Sequence, residues 1–246
     1  MPDQIEPLRD HSDLISAGRA DLHIHSNRSD GEGSPMDILR AAVTLGLDVI
    51  AITDHDRIDG ALEAALIAQA EGLPIEVVIG SEITTAEGDL LGLYLRDPIP
   101  PRLSLAEAIA AVTADGGLSV CAHPFVPHPK SIGASSVRRL VAAGKGPDGL
   151  ESHNPTPGGR LARANIRKTA AALGLALTGG SDAHRVSSIG QAWTVFPGRS
   201  ALDLRVALWT AQTAGAGSDN SLWGLVPILR ALVRERLGRS RGEPFG

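Results

Sequence analysis

Short apolar segments alternate with helical segments along most of this 246-residue chain, and this order restricts the fold more than any other feature. Such alternation is typical of βαβ units, in which each helix returns the chain to the next parallel strand. With this many units the sheet can close into a barrel. The predicted strands are 20–25, 48–53, 75–80, 118–122, 148–153, 175–179 and 191–196, and the predicted helices are Pro35–Gly46, 59–71, Ser104–Ala114, Ser135–Ala143, 159–173 and 201–212.

Local signals fix several boundaries. Ser34 and Pro35 have the residue types preferred at the N-cap and first position of a helix, and Ser104 with Glu107 forms a capping-box pattern. The C-terminal stretch is expected to pack on the barrel, with a dimer contact or a membrane-surface anchor as alternatives. The sequence further predicts a β-like stretch at 82–95 with a Gly88-Asp89 turn, a linker at 214–220, a lead-in at 1–18, one barrel domain at 19–213, and a C-terminal helix with a basic tail at 221–246.

Composition excludes several classes of protein. Aromatic residues make up only 3% and the formal net charge is −5, so the chain lacks the stacking surfaces and basic character that long nucleic acids require. Its single cysteine, Cys121, excludes a disulfide framework and a cysteine-based zinc site. No signal-peptide pattern is visible and no apolar run reaches the roughly 18 residues of a membrane span. We therefore expect a cytoplasmic protein with no transmembrane segment, and no pattern indicates its oligomeric state.

Metal-binding side chains follow the predicted strands. His23 and His25 are two residues apart on the first strand, and side chains at that spacing lie on one face. A lone histidine is more often a surface or capping residue, as we take His11 and His128 to be, but six of the eight histidines occur at the ends of five strands. An α/β barrel gathers such positions at the C-terminal ends of its strands, where active sites are built. The candidates are His23, His25, Asp54, His55, Glu82, His123, Glu151, His153, Asp182 and His184.

Six short motifs resemble those of the PHP (polymerase and histidinol phosphatase) family, in the family's order, between about residues 20 and 197. The resemblance implies an α/β fold, a distorted TIM-like (β/α)7 barrel with a metal site at the C-terminal end of the strands. The insertion that some standalone members carry before the CAHPF motif is absent, so the chain looks like the small standalone phosphoesterases. The motifs are ADLHIHSNRSDG, ITDHD, GSEITT, CAHPF, ESHNP and GGSDAH.

The resemblance also implies ligands for two or three divalent ions, and imidazole with carboxylate suits Zn, Mn or Fe. Glu82 would bridge two ions. His153 is the weakest member of the set, because ESHN departs from the family's commonest form, and Glu151 or a water could replace it. Asp54 and Asp56 would orient ligating histidines, although Asp54 could instead cap the next helix. One ion would be bound by His23, His25, Glu82 and Asp182, the second by Glu82, His123 and His153, and the third by Asp30, His55 and His184.

Motifs and resemblance together predict a metal-dependent phosphoesterase that hydrolyses a phosphomonoester, either a small phosphorylated metabolite or a nucleotide, by metal-activated water. Asp182 and His55 are candidate general acids. Arg28 and Arg185 are candidate phosphate-binding groups, or else solvated loop residues, and Lys130 is a weaker candidate. Two alternatives stay open: an exonuclease on short oligonucleotides, which the acidity and few aromatics disfavour, and a non-catalytic metal-bound interaction module, which the nearly full ligand set disfavours.

Overall fold

The computed structural model describes residues 17–217 of the chain. These residues form an α/β fold in which strands and helices alternate. The strands are β1 (Ala17–Ile24), β2 (Val49–Ile52), β3 (Glu76–Thr85), β4 (Gly88–Leu93), β5 (Leu118–Cys121), β6 (Gly149–His153), β7 (Ala176–Gly179), β8 (Ala192–Pro197) and β9 (Ala214–Gly217). The helices are α1 (Pro35–Thr44), α2 (Asp59–Glu71), α3 (Leu105–Ala114), α4 (Ala134–Ala142), α5 (Pro157–Leu173) and α6 (Ala201–Trp209).

The strands form one sheet in the order β7-β6-β5-β4-β3-β2-β1-β8-β9. Strands β1 to β3 are parallel to one another, as are β5 to β7, while β4 is antiparallel to both of its neighbours. The sheet curls into a nearly closed barrel, since the chain after β1 meets the loop after β7, where the His25 N–H donates to Ala183 O at 3.0 Å. The predicted α/β barrel is confirmed, with antiparallel strands added to the parallel units.

The barrel interior is apolar at one end and polar at the other. Leu22 and Leu91 belong to an interior cluster that also includes Leu204 of α6. Helix α6 lies at the N-terminal end of the strands, because its Ala201 N–H donates to Glu76 at the start of β3. Apolar packing therefore closes that end, and the polar residues collect at the C-terminal end of the strands.

A change of register in β1 turns His23 and His25 into the barrel. Leu22 packs in the interior cluster, whereas Ile24 packs with the residues of α1 and α2 outside it. A regular strand would place residues two apart on the same face. The pairing of β1 with β2 is irregular between Asp21 and Ile24. Such a bulge redirects the side chains that follow, which here are the two histidines.

The predicted helices lie within a few residues of their observed positions. Ser34 and Ser104 are N-caps, as predicted, and each closes a capping box. The linker predicted at 214–220 is wrong for residues 214–217, which form β9. Their small side chains allow this close approach, since a Cβ on Gly215 would lie 2.3 Å from Thr178 O of β7.

Strand β3 is longer than predicted and places Glu82 differently. It continues to Thr85, and β4 returns beside it as an antiparallel hairpin in which Glu82 pairs with Leu91. Glu82 therefore lies within one continuous strand, whereas the sequence places it between the strand 75–80 and the rest of a separate β-like stretch, 82–95. The hairpin hydrogen bonds fix its backbone more firmly than a loop position would.

Residues 1–16 and 218–246 lie outside the described range. The C-terminal helix and basic tail fall there, with most of the lead-in, and the division into 1–18, 19–213 and 221–246 stays a prediction. Between residues 17 and 217, no helix has the length and apolar character needed to cross a membrane.

Replacing Thr194 with valine tests how much the hydrogen bonds between β8 and β7 stabilise the fold. The buried Thr194 hydroxyl accepts a hydrogen bond from the Gly179 N–H and donates one to Gly179 O, both at 2.9 Å. Valine has nearly the same shape but leaves both backbone groups unpaired, so we expect Thr194→Val to lower the free energy of unfolding by about 2–4 kcal/mol. Urea unfolding measures this loss. The control, Thr194→Ser, keeps the hydroxyl and should lose only about 1 kcal/mol; equal losses in the two variants would contradict the assignment.

Candidate metal centre

The loop after β1 is held in place by Asp54, which follows β2. Its carboxylate accepts hydrogen bonds from the Ser26 N–H at 2.8 Å and from the hydroxyls of Ser26 and Ser29 at 2.6 Å. This anchoring fixes the position of Asp30 in the same loop. Asp54 thus orders the loop through serines, in place of the histidine-orienting or helix-capping role predicted for it.

The first group of metal-type ligands contains His23, His25, Glu82 and Asp182. Nε2 of His23 lies 3.2 Å from Glu82 Oε2 and 3.5 Å from Asp182 Oδ1. Nε2 of His25 lies 3.2 and 3.4 Å from the same two oxygens. Ligands about 2.0–2.1 Å from a tetrahedral ion lie about 3.3–3.4 Å from one another. The four atoms are therefore spaced as the ligands of a single ion.

The second group contains His25, Asp30, His55 and His184. Asp30 Oδ2 lies 3.2 Å from His184 Nε2 and 3.6 Å from His55 Nε2. Its other oxygen lies 3.4 Å from His25 Nδ1. Because a neutral imidazole has one lone pair, His25 can serve only one of the two groups in that form. Asp30, His55 and His184 remain as a three-residue set, the one that the family resemblance implies.

The third group contains Glu82, Asp89 and His123. His123 Nε2 lies 3.0 Å from Glu82 Oε1, whereas the histidines of the first group face Oε2. The two oxygens of one carboxylate therefore face two groups of ligands. Ions held by the two groups would therefore share Glu82.

Asp89 is a site residue that the sequence analysis missed. The sequence places it in a turn, but it lies on β4 with its side chain in the barrel, 1% exposed. Neither carboxylate oxygen has a hydrogen-bond partner among the described residues. Burial and the neighbouring Glu82 raise the pKa of Asp89 to about 6. The available signal was the alternation of Asp89 with Leu91 and Leu93, which both face the interior.

His153 lies outside the three groups of described residues. The pairing of β6 with β7 is irregular between Glu151 and His153. The His153 ring packs beside β9, where a Cβ on Gly215 would lie 2.8 Å from Nδ1. The structure thus brings Asp89 to the position predicted for His153, and a ligand role for His153 stays a prediction.

Glu151 orients two of the candidate ligands from behind. Its buried carboxylate lies 3.1 Å from His23 Nδ1 and accepts hydrogen bonds from the His123 N–H at 2.8 Å and from Asn154 Nδ2 at 3.2 Å. A proton on Nδ1 of His23 leaves the lone pair of Nε2 directed at the first group. Carboxylates in this position fix the tautomer and raise the basicity of ligating histidines.

The buried ring nitrogens fit a divalent ion. Among the described residues, His23 Nε2, both ring nitrogens of His25 and His55 Nδ1 are buried without a hydrogen-bond partner. Unpaired buried polar atoms are costly, and coordination of a metal ion satisfies them. Imidazole and carboxylate without thiolate suit several divalent ions.

Opposite charges set the pKa values in this cluster. Burial by itself would lower the pKa of His23 and of His25, but the nearby carboxylates outweigh burial and raise the pKa of His25 to about 9 and that of His23 well above its usual value. Burial would likewise raise the pKa of Glu82 and of Asp182, but the histidines hold both below their usual values. In the metal-free protein, protonated histidines therefore balance ionised carboxylates in this cluster, and a divalent ion can take the place of the protons.

The backbone at the site adopts conformations that L-residues rarely take. φ is +28° at His123 and +52° at Asp182. Gly180 has no room for a side chain, since a Cβ there would lie 2.4 Å from His23 Cβ and 2.7 Å from Glu151 Oε1. Such strain is characteristic of functional sites, where the surrounding structure supplies the energy.

A cavity of about 400 Å³ opens over the three groups. Its remaining wall comes from the segments 126–130 and 156–158. Arg28 and Arg185, the predicted phosphate-binding residues, each pair with a surface glutamate and do not line this cavity. Lys130, the weaker candidate, does line it.

Comparison with known proteins shows the family to which this chain belongs. The PHP domain model matches residues 21–138 and the PHP-associated model matches residues 161–213. An uncharacterized protein of Methanocaldococcus jannaschii is 40% identical over 126 residues, which are 47% of this chain and 72% of that protein. A Haemophilus influenzae 5'-3' exoribonuclease is 45% identical over 65 residues, 26% of this chain and 23% of the enzyme. A Chromobacterium violaceum 3',5'-nucleoside bisphosphate phosphatase is 35% identical over 88 residues, 34% of this chain and 30% of the enzyme.

A solved structure has the same fold. It is a two-domain protein of Bacteroides vulgatus that contains a predicted PHP-like metal-dependent phosphoesterase, with 23% identity and a TM-score of 0.69 over 87% of this chain and 70% of that one. A barrel with imidazole and carboxylate clusters at the C-terminal end of its strands defines a metal-dependent hydrolase. The chain belongs to the PHP family, and it is a metal-dependent phosphoesterase of that family.

Replacing Glu151 with glutamine tests its orienting role. Glutamine has one acceptor oxygen in place of two, so the three donors that face Glu151 cannot all be satisfied. We expect Glu151→Gln to weaken the binding of Mn²⁺ or Zn²⁺ about 10–100-fold without loss of the fold. Competition with a chelator measures the affinity. The matched control is Glu63→Gln on the surface of α2, and a Glu151 variant that binds metal as well as this control would contradict the role.

The raised pKa of His25 predicts proton release when metal binds. With a pKa of about 9, His25 is protonated at pH 7 in the metal-free protein. A ligating imidazole must be neutral, so binding displaces a proton, and metal affinity should increase as the pH rises from 7 to 9. Calorimetric titrations at pH 7 in buffers of different ionisation enthalpy count the protons released. A binding enthalpy independent of the buffer would contradict this prediction.

Proposed function

We propose that this protein hydrolyses a phosphomonoester of a small metabolite or a nucleotide, with two or three divalent ions, Zn, Mn or Fe, as cofactors. The observation that carries the proposal is the position of Glu82. Its Oε2 lies 3.2 Å from the histidines of the first group, and its Oε1 lies 3.0 Å from His123 of the third. Ions that share a carboxylate lie close enough to act on one phosphoryl group.

Divalent ions bound here would activate water for attack on phosphorus and neutralise charge on the phosphoryl oxygens. Asp182 keeps a low pKa, because the effect of His23 and His25 exceeds that of burial, so it is ionised and suited to binding a cation. Burial lowers the pKa of His55, which favours the neutral imidazole that binds metal. These directions support ligand roles for Asp182 and His55 over the general-acid roles that the sequence suggests.

The cavity supports a small substrate. A volume of about 400 Å³ is within the range of pockets that hold small molecules. Its described lining contains no Phe, Tyr or Trp on which the bases of a longer strand could stack. The Chromobacterium violaceum relative is named for a substrate of this size, a 3',5'-nucleoside bisphosphate.

An exonuclease acting on short oligonucleotides is the second candidate. The Haemophilus influenzae relative, named a 5'-3' exoribonuclease, supports this candidate, because 65 residues of this chain align with it at 45% identity. A terminal nucleotide would fit the same cavity, and the remainder of a short strand would lie outside it. The absence of aromatic residues from the described lining counts against a long track.

A substrate panel tests the proposal. The protein is loaded with Mn²⁺ or Zn²⁺ and offered p-nitrophenyl phosphate, nucleoside mono- and bisphosphates, histidinol phosphate and short oligonucleotides. We expect hydrolysis of small phosphomonoesters, and we expect Asp182→Asn to lose about 100-fold or more of it, because a ligand of the first group is weakened.

The control variant makes the same chemical change at an exposed position, Asp97→Asn, and should keep wild-type activity. No hydrolysis of any substrate with metal shown to be bound would contradict the enzymatic proposal. Faster hydrolysis of oligonucleotides than of monophosphates would replace it with the exonuclease.

A further inference from the structure

The bulge in β1 begins at a buried carboxylate, that of Asp21. Asp21 pairs with Ile50 of β2, and the next pair is Ile24 with Ile52, so three steps along β1 match two along β2. This excess of one residue is the bulge that turns the two histidines of β1 into the barrel. Asp21 lies directly before it and is 0% exposed. A charged group in such a position requires hydrogen-bond donors around it.

The Asp21 carboxylate accepts hydrogen bonds from the backbone N–H groups of three segments. Its Oδ1 accepts from Ser181 at 2.9 Å and, within β1, from His23 at 3.4 Å. Its Oδ2 accepts from Gly190 at 2.8 Å. Ser181 follows β7 and Gly190 precedes β8. One carboxylate therefore joins β1 to the loop after β7 and to the segment before β8.

The segment between these two points carries candidate metal ligands. We call residues 181–190 the ligand loop, because they include Asp182 and His184. Asp21 binds the first and the last residue of this loop. Within the loop, φ is +52° at Asp182, a conformation that an L-residue keeps only when its surroundings hold it. The hydrogen bonds to Asp21 are part of those surroundings.

The part of β1 that follows the bulge is bound to the same loop. The Ala183 N–H donates to His23 O at 3.3 Å, and the His25 N–H donates to Ala183 O at 3.0 Å. The Ser181 hydroxyl also donates to His23 O, at 3.4 Å. The bulged part of β1 and the ligand loop therefore form one hydrogen-bonded unit, which begins at Asp21.

The ligands of the first group come from both parts of this unit. His23 and His25 belong to β1, and Asp182 belongs to the ligand loop. Nε2 of His23 lies 3.5 Å from Asp182 Oδ1, and Nε2 of His25 lies 3.4 Å from it. Because metal–ligand distances are fixed to within about 0.2 Å, a small displacement of the loop from β1 would separate these ligands from a shared ion.

We propose that Asp21 is a positioning residue of the metal centre. Its carboxylate fixes the ligand loop against the bulge in β1, and it thereby sets the spacing between Asp182 and the two histidines of the first group. Asp21 itself belongs to none of the three ligand groups among the described residues, so it acts through the backbone. This role depends on the proposed function, because its effect on metal requires that His23, His25 and Asp182 share one ion.

Replacing Asp21 with asparagine tests this role in the full chain with Co²⁺, whose visible absorption depends on the number and arrangement of its ligands. Asparagine has the shape of aspartate but only one acceptor oxygen, so the N–H groups of Ser181 and Gly190 cannot both remain bound. We expect Asp21→Asn to weaken Co²⁺ binding about 10–100-fold and to change the absorption spectrum at saturating Co²⁺. Circular dichroism shows whether the variant is folded.

The matched control is Asp148→Asn, at the opposite end of the barrel. The Asp148 carboxylate also accepts a backbone hydrogen bond, from the Ser119 N–H at 2.7 Å, but it directly precedes β6. We expect this variant to lose stability and to keep the wild-type affinity and spectrum, because a loss of stability alone does not alter the ligands of the folded protein. Wild-type binding and spectrum in Asp21→Asn, or an equal loss of affinity in the control, would overturn the role of Asp21.

A second variant, Ser181→Ala, applies if Asp21→Asn does not fold. It removes only the hydroxyl that donates to His23 O, so the link between the ligand loop and β1 is weakened without an unpaired backbone group. We expect about a threefold loss of Co²⁺ affinity, together with a changed spectrum. Unchanged binding and an unchanged spectrum in this variant would also refute the role.

The variant Asp182→Asn separates the role of Asp21 from the proposed function. If Asp182→Asn binds Co²⁺ as the wild type does, the first group is not the metal site and the role of Asp21 fails with it. If Asp182→Asn loses affinity and Asp21→Asn does not, the ligand set stands and only the role of Asp21 is refuted. If no ester is hydrolysed while Asp21→Asn shows the expected loss and spectrum, the phosphomonoesterase proposal fails and the positioning role stands.

Discussion

The carboxylate of Glu82 is the constraint on which the rest of the site depends. It is 1% exposed, and the rings of His23, His25, His55 and His123 lie 3.0–3.5 Å from its two oxygens. A buried charge of this kind is stable only with compensating cations or protons around it. The strands that carry the histidines therefore converge on β3, and a divalent ion that replaced the protons would be held by the same side chains.

The barrel accommodates this buried charge by placing its apolar and its polar residues at opposite ends. Apolar side chains and α6 close the N-terminal end, where their packing stabilises the fold. The polar end can then hold features that are costly elsewhere, such as positive φ at His123 and Asp182. Gly180 is another such feature of the polar end, because only a residue without a side chain lets the loop after β7 approach His23 and Glu151.

The lining of the cavity has two parts. One consists of the candidate metal ligands Asp30, His55, Glu82, Asp89, His123, Asp182 and His184, and the other of Val126, Pro127, His128, Lys130, Thr156 and Gly158. Arg28 and Arg185 are engaged with surface glutamates, so Lys130 is the one Lys or Arg residue in the described lining. The ligands come from the barrel strands and the loops that follow them, whereas most of the second part belongs to the segment 126–130.

Much of the fold and of the candidate site could be predicted from the sequence, because both depend largely on local patterns. The alternation of strands and helices, the caps at Ser34 and Ser104, and the position of polar residues after strands are set by nearest neighbours along the chain. Asp89 and β9 could not be found in this way. Asp89 has a turn-like neighbour in Gly88, and the residues of β9 are small enough to resemble a linker, so their roles come from partners distant in sequence. The sequence by itself determined the chemistry of the site, whereas only the tertiary structure decided which side chains share it, because the bulge in β1 and the hairpin at β3 set the direction in which each one points.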